Sequence, residues 1–152
     1  MKLNLCCSDQ HLPGYVNVDI VQPADELVDL ADERQPWPWA DSSVSEIRFH
    51  DGPEHLPNKI RTMNECWRVL EPDGKLDLFV PTTDGRGAFQ DPQHVAFFTP
   101  NDLFYYCEEY AEWQRFHEAY GIQARFRVEY QDHEEYANKV WKLRALLKAV
   151  KP

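Results

Sequence analysis

The first twenty residues place two short predicted strands unusually close together along the chain. The apolar stretches at about residues 2–7 and 15–20 each predict a β-strand, and only Ser8 to Gly14 lie between them. A crossover between parallel strands normally needs a dozen or more residues, and Pro13-Gly14 shortens any helix in this segment further. We therefore expect the first crossover helix to be missing or very short, reduced to a loop or a single turn.

Beyond residue 20, predicted strands and helices alternate. Residues 45–50, 75–81 and 123–130 predict strands, residues 24–30 a brief helix or an edge strand, and residues 82–100 an irregular segment. Helices are predicted over residues 57–70 and 134–150, where apolar residues recur at spacings of three and four, and helical pieces over 101–119. This alternation predicts an α/β fold with a mostly parallel sheet flanked by helices. The length of 152 residues favours a single domain, 1–152.

The charge balance restricts the partners that the chain can have. Sixteen basic and twenty-six acidic residues give a net charge of −10, which argues against nucleic acid or a membrane as a partner because both select basic surfaces. No apolar run approaches the ~20 residues of a membrane span, and the first residues lack the apolar core of a signal peptide. The four cysteines form no evident disulfide framework. We therefore expect a cytoplasmic protein.

The predicted order of strand, tight loop and strand ending in an acid is typical of a minimal Rossmann-like nucleoside site. The loop lets the backbone approach the ligand, and the acid, here Asp19, accepts from the ribose hydroxyls. Such loops use glycine because a side chain would occupy the ligand's space, whereas this loop has the sequence Cys6-Cys7-Ser8. An altered loop that still binds and a decayed loop that does not are both open. A thiol or metal site at Cys6, Cys7 and His11 is disfavoured, because adjacent cysteines lack the gap of usual zinc motifs.

Several short motifs follow one another within residues 3–100. They are Leu5-Cys6-Cys7-Ser8, Asp19, Asp29-Leu30, the loop of residues 37–46, Glu54-His55-Leu56, and the run Glu65-Cys66-Trp67-Arg68-Val69-Leu70-Glu71-Pro72-Asp73-Gly74-Lys75-Leu76. In this order they resemble the class I S-adenosylmethionine-dependent methyltransferases, in their compact methyltransferase-11-like branch. The last run is the most specific match, since it follows the family pattern Glu-x-x-Arg-Val-Leu-Lys-Pro-Gly-Gly-x-Leu. Both glycine positions of the first loop depart from that family.

The resemblance implies S-adenosylmethionine as cofactor, with S-adenosylhomocysteine as product. It implies that Asp19 binds the ribose and that Asp29 accepts from the adenine amine. The cofactor-binding residues that it implies are Leu5, Cys6, Cys7, Ser8, Asp19, Ile20, Asp29, Leu30, His50, Asp51 and Gly52. The last three follow the predicted fourth strand, where this type of sheet opens its crevice.

Two histidines are candidate catalytic residues. His94 lies in the loop after the predicted fifth strand, on the side where a methyl acceptor would bind, and it could deprotonate a hydroxyl or an amine. His55 precedes a predicted helix. The structural alternatives are a loop hydrogen bond for His94 and framework packing for His55. We expect no metal, because direct displacement at an activated methyl group needs only proximity and orientation.

The resulting hypothesis is transfer of a methyl group to an oxygen or nitrogen of an acceptor, which the resemblance implies is small or saccharide-like. The alternative is a catalytically inactive, methyltransferase-like binding or scaffold protein, which the altered loop favours. A homodimer is a further expectation, because the aromatic residues between 97 and 113 suit a dimer contact as well as a core or a wall over the acceptor.

Overall fold

A computed structural model describes all 152 residues and arranges seven strands in one sheet, in the order β3-β2-β1-β4-β5-β7-β6. The strands are β1 (Lys2–Leu5), β2 (Val16–Asp19), β3 (Glu26–Leu27), β4 (Val44–His50), β5 (Leu70–Pro81), β6 (Phe126–Tyr136) and β7 (Val140–Ala149). Strands β1 to β5 pair in parallel, and β7 is antiparallel to both β5 and β6. The predicted α/β fold with a mostly parallel sheet is confirmed.

Two α-helices and four short 3₁₀ turns accompany the sheet. The helices are α1 (Lys59–Val69) and α2 (Ala111–Tyr120), and the 3₁₀ turns are Pro53–His55, Arg86–Ala88, Pro100–Tyr105 and Ala137–Lys139. The segment predicted as helix or edge strand at 24–30 contains only the two-residue edge strand β3. No helix of the structure is both long enough and apolar enough to cross a membrane.

The helix predicted over residues 134–150 is wrong, because this segment belongs to the antiparallel hairpin of β6 and β7. Along β7 the buried residues are Leu143, Ala145, Leu147 and Ala149, which is the alternation of a strand. An offset of four, as between Leu143 and Leu147, keeps two side chains on one face in a helix and in a strand alike. The apolar spacing therefore could not distinguish the two, and the strand forms because β7 is paired on both sides.

The first crossover contains no helix, as predicted, and buried asparagines organise it. Leu3 pairs with Val16 across the parallel strands β1 and β2, and the chain between the strands forms turns. Asn4 and Asn17 are the neighbouring residues, 0% and 5% exposed. Asn4 Nδ2 donates to Asn17 Oδ1 (2.9 Å) and to the Gln10 carbonyl (2.7 Å). Each strand thus carries one buried amide that fixes the connecting loop.

Helix α1 packs on the sheet and anchors the loop before β4. Its side chains Met63, Cys66 and Val69 are buried. On its outer side, Arg68 pairs with Glu65 (2.7 Å) and donates to the carbonyls of Trp37 (3.0 Å) and Trp39 (2.9 Å). The most specific motif of the sequence therefore holds the tryptophan loop against the core, where both indoles are buried.

We predict that Leu147→Ala lowers the free energy of unfolding by about 2–5 kcal/mol, because it leaves a cavity at a fully buried site. Leu146→Ala should cost clearly less, since Leu146 faces the other side of β7 and is partly exposed. Urea denaturation of both variants measures the difference. Equal losses would contradict the strand, because consecutive side chains of a strand point to opposite faces of the sheet.

We also predict that Asn17→Ala destabilises the protein by about 1–3 kcal/mol, because it leaves buried polar partners unsatisfied. The Leu12 amide, which donates to Asn17 Oδ1 at 2.9 Å, loses its acceptor. Asn101→Ala is the matched control, since Asn101 is exposed. Thermal and urea unfolding should show that Asn17→Ala is the less stable variant. Equal stabilities would show that the amide bridge does not stabilise the protein.

Candidate functional site

A cavity of about 600 Å³ opens at the carboxyl ends of the parallel strands. Its lining residues are Cys6 and Ser8 after β1; Asp19, Ile20 and Val21 at the end of β2; Val28, Asp29, Leu30 and Ala31 after β3; Asp51, His55 and Leu56 after β4; and Gln93 and Val95 after β5. The strand order reverses between β1 and β4. Open parallel sheets bind their ligands outside the strand ends at such a reversal.

The loop after β1 holds a glycine-type conformation without glycine. Cys6 has φ 53° and Ser8 has φ 48°, so both lie in the left-handed region, which costs an L-residue roughly 1–2 kcal/mol. These are the two positions at which the sequence resemblance expects glycine. The backbone path of a ligand-binding loop is thus kept, at the expense of local strain.

Asp19 fixes this loop from the neighbouring strand. Its Oδ2 accepts from the Ser8 amide (2.9 Å) and its Oδ1 accepts from the Ile20 amide (2.7 Å). A carboxylate oxygen has two lone pairs, so each oxygen can still accept from a ligand hydroxyl. Asp19 therefore combines a loop-holding role with the geometry of a hydroxyl acceptor at the cavity wall.

The wall beside Asp19 is apolar and open. Ile20 and Val21 are 67% and 57% exposed, and Leu30 is buried next to them. Asp29 Oδ1 accepts from the Ala31 amide at 2.9 Å, which shapes the turn after β3. The apolar surface between the two carboxylates can pack against a flat ring of a ligand, while the carboxylates accept hydrogen bonds from its donor groups.

Four of the predicted cofactor residues do not line the cavity. Leu5 and Cys7 are buried beneath the loop. The His50 ring lies against Phe79, with its Nε2 atom 3.1 Å from Asp77 Oδ2. At Gly52 a Cβ atom would stand 2.6 Å from the Phe49 ring and 2.8 Å from the Cys6 Cβ. The missing side chain of Gly52 thus makes room for the packing under the loop.

The thiols of the loop lie in surroundings that disfavour the thiolate. Burial, with a contribution from Asp19, raises the pKa of Cys6 to about 12, and burial also raises the pKa of Cys7. His11 lies apart from them and bonds the Pro23 carbonyl at 2.8 Å. Cys66 and Cys107 are fully buried, as their positions among apolar residues predict.

His55 and His94 lie together at one end of the cavity, and Glu54 joins them. His55 lines the cavity, whereas His94 packs behind it with its ring 4.9 Å from the His55 ring. Glu54 is 2% exposed, and burial raises its pKa to about 7. Its Oε1 atom lies 3.9 Å from His94 Nε2. Sequence reasoning missed Glu54 as a site residue, although it directly precedes His55.

The hairpin also reaches the site. Lys142 on β7 donates to both carboxylate oxygens of Asp51, at 2.7 and 2.8 Å. Asp51 itself has φ 48° at the turn after β4. The ion pair fixes Asp51 at the cavity edge and leaves the negative charge of Asp19 and Asp29 as the dominant charge of the wall.

Comparison with known proteins finds similar folds but no similar sequences. No protein-family model and no curated protein sequence matches the chain. Solved structures match it over almost its whole length. A methyltransferase dependent on S-adenosylmethionine from Methanosarcina mazei is 14% identical with a TM-score of 0.66, covering 99% of this chain and 92% of its own. Another from Archaeoglobus fulgidus is 12% identical with a TM-score of 0.61, covering 97% and 85%.

The chain has the class I S-adenosylmethionine-dependent methyltransferase fold. A protein from Sulfolobus solfataricus described as a type 11 methyltransferase is also similar, at 14% identity and a TM-score of 0.54, with 99% of this chain and 85% of its own covered. The fold expected from the motif order is thereby confirmed. At these identities the likeness concerns the fold, and function must be argued from the site.

We predict that Ser8→Gly raises the free energy of unfolding by up to about 1 kcal/mol, because relief of the left-handed backbone exceeds the entropy that glycine adds to the unfolded chain. Ser8→Ala is the control, since it removes the hydroxyl and keeps the Cβ penalty. Urea denaturation should rank glycine above serine and alanine. A glycine variant no more stable than the alanine variant would show that position 8 is unstrained.

Proposed function

We propose that this protein is an S-adenosylmethionine-dependent methyltransferase that acts on an oxygen or nitrogen of a small, saccharide-like acceptor and releases S-adenosylhomocysteine. The observation that carries the proposal is the cavity at the reversal of strand order, with Asp19 and Asp29 on its wall, in a chain with the fold of such enzymes. The cavity volume of about 600 Å³ lies within the usual range for small-molecule sites.

The residues present fit this cofactor. Cys6 and Ser8 keep the loop in the conformation that glycine would give, and the Cys6 side chain packs towards Gly52. Asp19 retains acceptor capacity for the ribose hydroxyls, and Ile20 offers an apolar surface beside it. Asp29 would accept from the adenine amine.

When bound, the cofactor supplies a methyl group already activated on a sulfonium. The chain then contributes mainly proximity and orientation. Polar side chains at the other end of the cavity, Asp51, His55 and Gln93, would orient a hydroxyl-bearing acceptor, which supports the saccharide-like class. His55, which lines the cavity, would take the acceptor's proton, while His94 packs behind its ring.

A second candidate is a methyltransferase-like binding or scaffold protein without turnover. Two observations favour it: both glycine positions hold strained L-residues, and no crossover helix follows the loop to direct its N-terminus at a ligand. In this case the cavity would bind its ligand weakly or not at all.

We further propose that the protein works in the cytoplasm, which its four unpaired thiols support. The absence of nucleic-acid and membrane partners and the formation of a homodimer stay predictions. Part of the aromatic segment belongs to the core, since Phe98 and Tyr106 are buried, whereas Phe97 is 43% exposed and available to a partner.

We predict that S-adenosylhomocysteine binds the wild type and that Asp19→Asn weakens binding about tenfold to a hundredfold, the effect of losing a charged hydrogen bond. Asp9→Asn is the matched control, because Asp9 lies exposed in the same segment and loses the same charge. Isothermal titration calorimetry measures both affinities, with thermal unfolding to verify that the variants fold.

The same titration separates the two candidates. Binding followed by methyl transfer to an acceptor supports the enzyme, and binding without transfer to any of a panel of small hydroxyl and amine acceptors supports the binding protein. If the wild type does not bind, the double change Cys6→Gly and Ser8→Gly is titrated next. Binding regained by that variant supports a decayed loop, and no binding by either overturns the cofactor proposal.

A further inference from the structure

Three side chains of metal-binding type converge at one end of the cavity. One ligand atom from each of Glu54, His55 and His94 lies within 4.8 Å of the other two. Glu54 and His55 are adjacent in the turn after β4, and His94 comes from the loop after β5. Two imidazoles and one carboxylate are a donor set that proteins use for zinc and related divalent transition-metal ions.

Backbone hydrogen bonds hold the two ligand-bearing segments together. The Glu54 carbonyl accepts from the amides of both Val95 (2.9 Å) and Ala96 (3.0 Å), the two residues that follow His94. The His55 amide donates to the Gly52 carbonyl at 3.0 Å. Main-chain hydrogen bonds therefore hold the segment that carries Glu54 and His55 against the segment that carries His94.

A hydrogen bond from one ring nitrogen of His94 to a backbone carbonyl leaves the other ring nitrogen facing the cluster. Its Nδ1 atom lies 3.1 Å from the Ala88 carbonyl, which can only accept, so Nδ1 carries a proton. In the neutral ring Nε2 is then an acceptor, and this atom faces Glu54. A histidine fixed by a hydrogen bond from its other nitrogen to a carbonyl is the usual arrangement around protein-bound metals.

Glu54 supplies the second, independent observation. Its side chain is 2% exposed, and its Oε2 atom has no hydrogen-bond partner. Burying a carboxylate oxygen without a partner is costly. The other oxygen, Oε1, faces His94, so a cation held by both oxygens of the Glu54 carboxylate would satisfy Oε2 as well.

We propose that Glu54, His55 and His94 bind one divalent ion of the zinc class. Ligands of a tetrahedral zinc ion stand ~3.3 Å apart, so ligand atoms that lie within 4.8 Å of one another would approach by up to about 1.5 Å. Three protein ligands leave one coordination position open. Because His55 lines the cavity, that position is adjacent to it. The site replaces the expectation that the chain uses no metal. It shares His55 with the proposed methyl transfer, and a His55 nitrogen bound to the ion would not be free to take the acceptor's proton.

The competing account is an ion pair without metal. Asp91 Oδ2 lies 3.7 Å from His94 Nε2, so a protonated His94 could be held between Asp91 and Glu54. In that case added metal would find no free ligand set. The two accounts therefore differ in their response to zinc.

The test is titration of the metal-free full chain with Zn²⁺ by isothermal titration calorimetry. We expect one ion per chain with micromolar or tighter affinity, and at least a tenfold loss in each of Glu54→Gln and His94→Gln. His117→Gln is the matched control, because the Nδ1 atom of His117 also bonds a backbone carbonyl (2.8 Å) but no carboxylate pairs with it. Cys6→Ser tests for binding by the partly exposed thiol, and it should leave the affinity unchanged.

Cobalt provides a second readout that does not depend on stability. Co²⁺ at this site should show the visible d–d absorption of a low-coordinate ion without thiolate charge transfer, and His94→Gln should abolish it. Circular dichroism verifies that each variant folds. Absence of one-to-one zinc binding, equal binding by wild type, Glu54→Gln and His94→Gln, or a thiolate band would each overturn the proposal.

Discussion

The buried amide bridge between Asn4 and Asn17 is the interaction on which the rest of the site depends. A longer first crossover could bury a helix against the sheet, but the ten residues between Leu5 and Val16 are fewer than such a crossover needs. Here Asn17 Oδ1 accepts from Asn4 and from the Leu12 amide, and its Nδ2 atom donates to Asp25 (2.8 Å). Arg48 on β4 donates to Asn4 Oδ1 (2.9 Å). A network of buried hydrogen bonds thus fixes the loop between β1 and β2, in place of the apolar packing of a crossover helix.

This network explains how the cavity keeps its shape without glycine. Left-handed backbone at Cys6 and Ser8 costs roughly 1–2 kcal/mol per residue, and each hydrogen bond that opposes this cost contributes about 1 kcal/mol, or more where an acceptor is charged. The charged bond from the Ser8 amide to Asp19 opposes this strain directly, and the bond from the Leu12 amide to Asn17 fixes the loop that follows. The loop is therefore held by its neighbours, and a ligand entering the cavity would not have to order it.

The sequence predicted the parts of the fold that local patterns determine. The short crossover followed from chain length, and helix α1 followed from the apolar spacing of Ile60, Met63 and Trp67. The hairpin was missed because its decisive feature is pairing with β5, a contact distant in sequence. Within the site, Asp19 was predicted from its place at the end of a strand and Asp29 from the family resemblance. Both line the cavity, and their roles towards a ligand stay predictions. Gly52 was assigned to the ligand because a sequence cannot show that Phe49 occupies the space beside it.

The Glu54 cluster illustrates the same limit and shows where the chemistry of this chain departs from its fold. Nothing in the sequence relates residue 54 to residue 94, and they meet only because the loop after β5 folds back onto the Glu54 carbonyl. A buried acid beside two imidazoles can hold either a proton or a metal ion. In both cases the bound cation sets the charge beside His55 at the cavity. Similar folds at 12–14% identity carry no information about that choice. The chemistry at this end of the cavity is therefore decided by which cation Glu54 and the two histidines share.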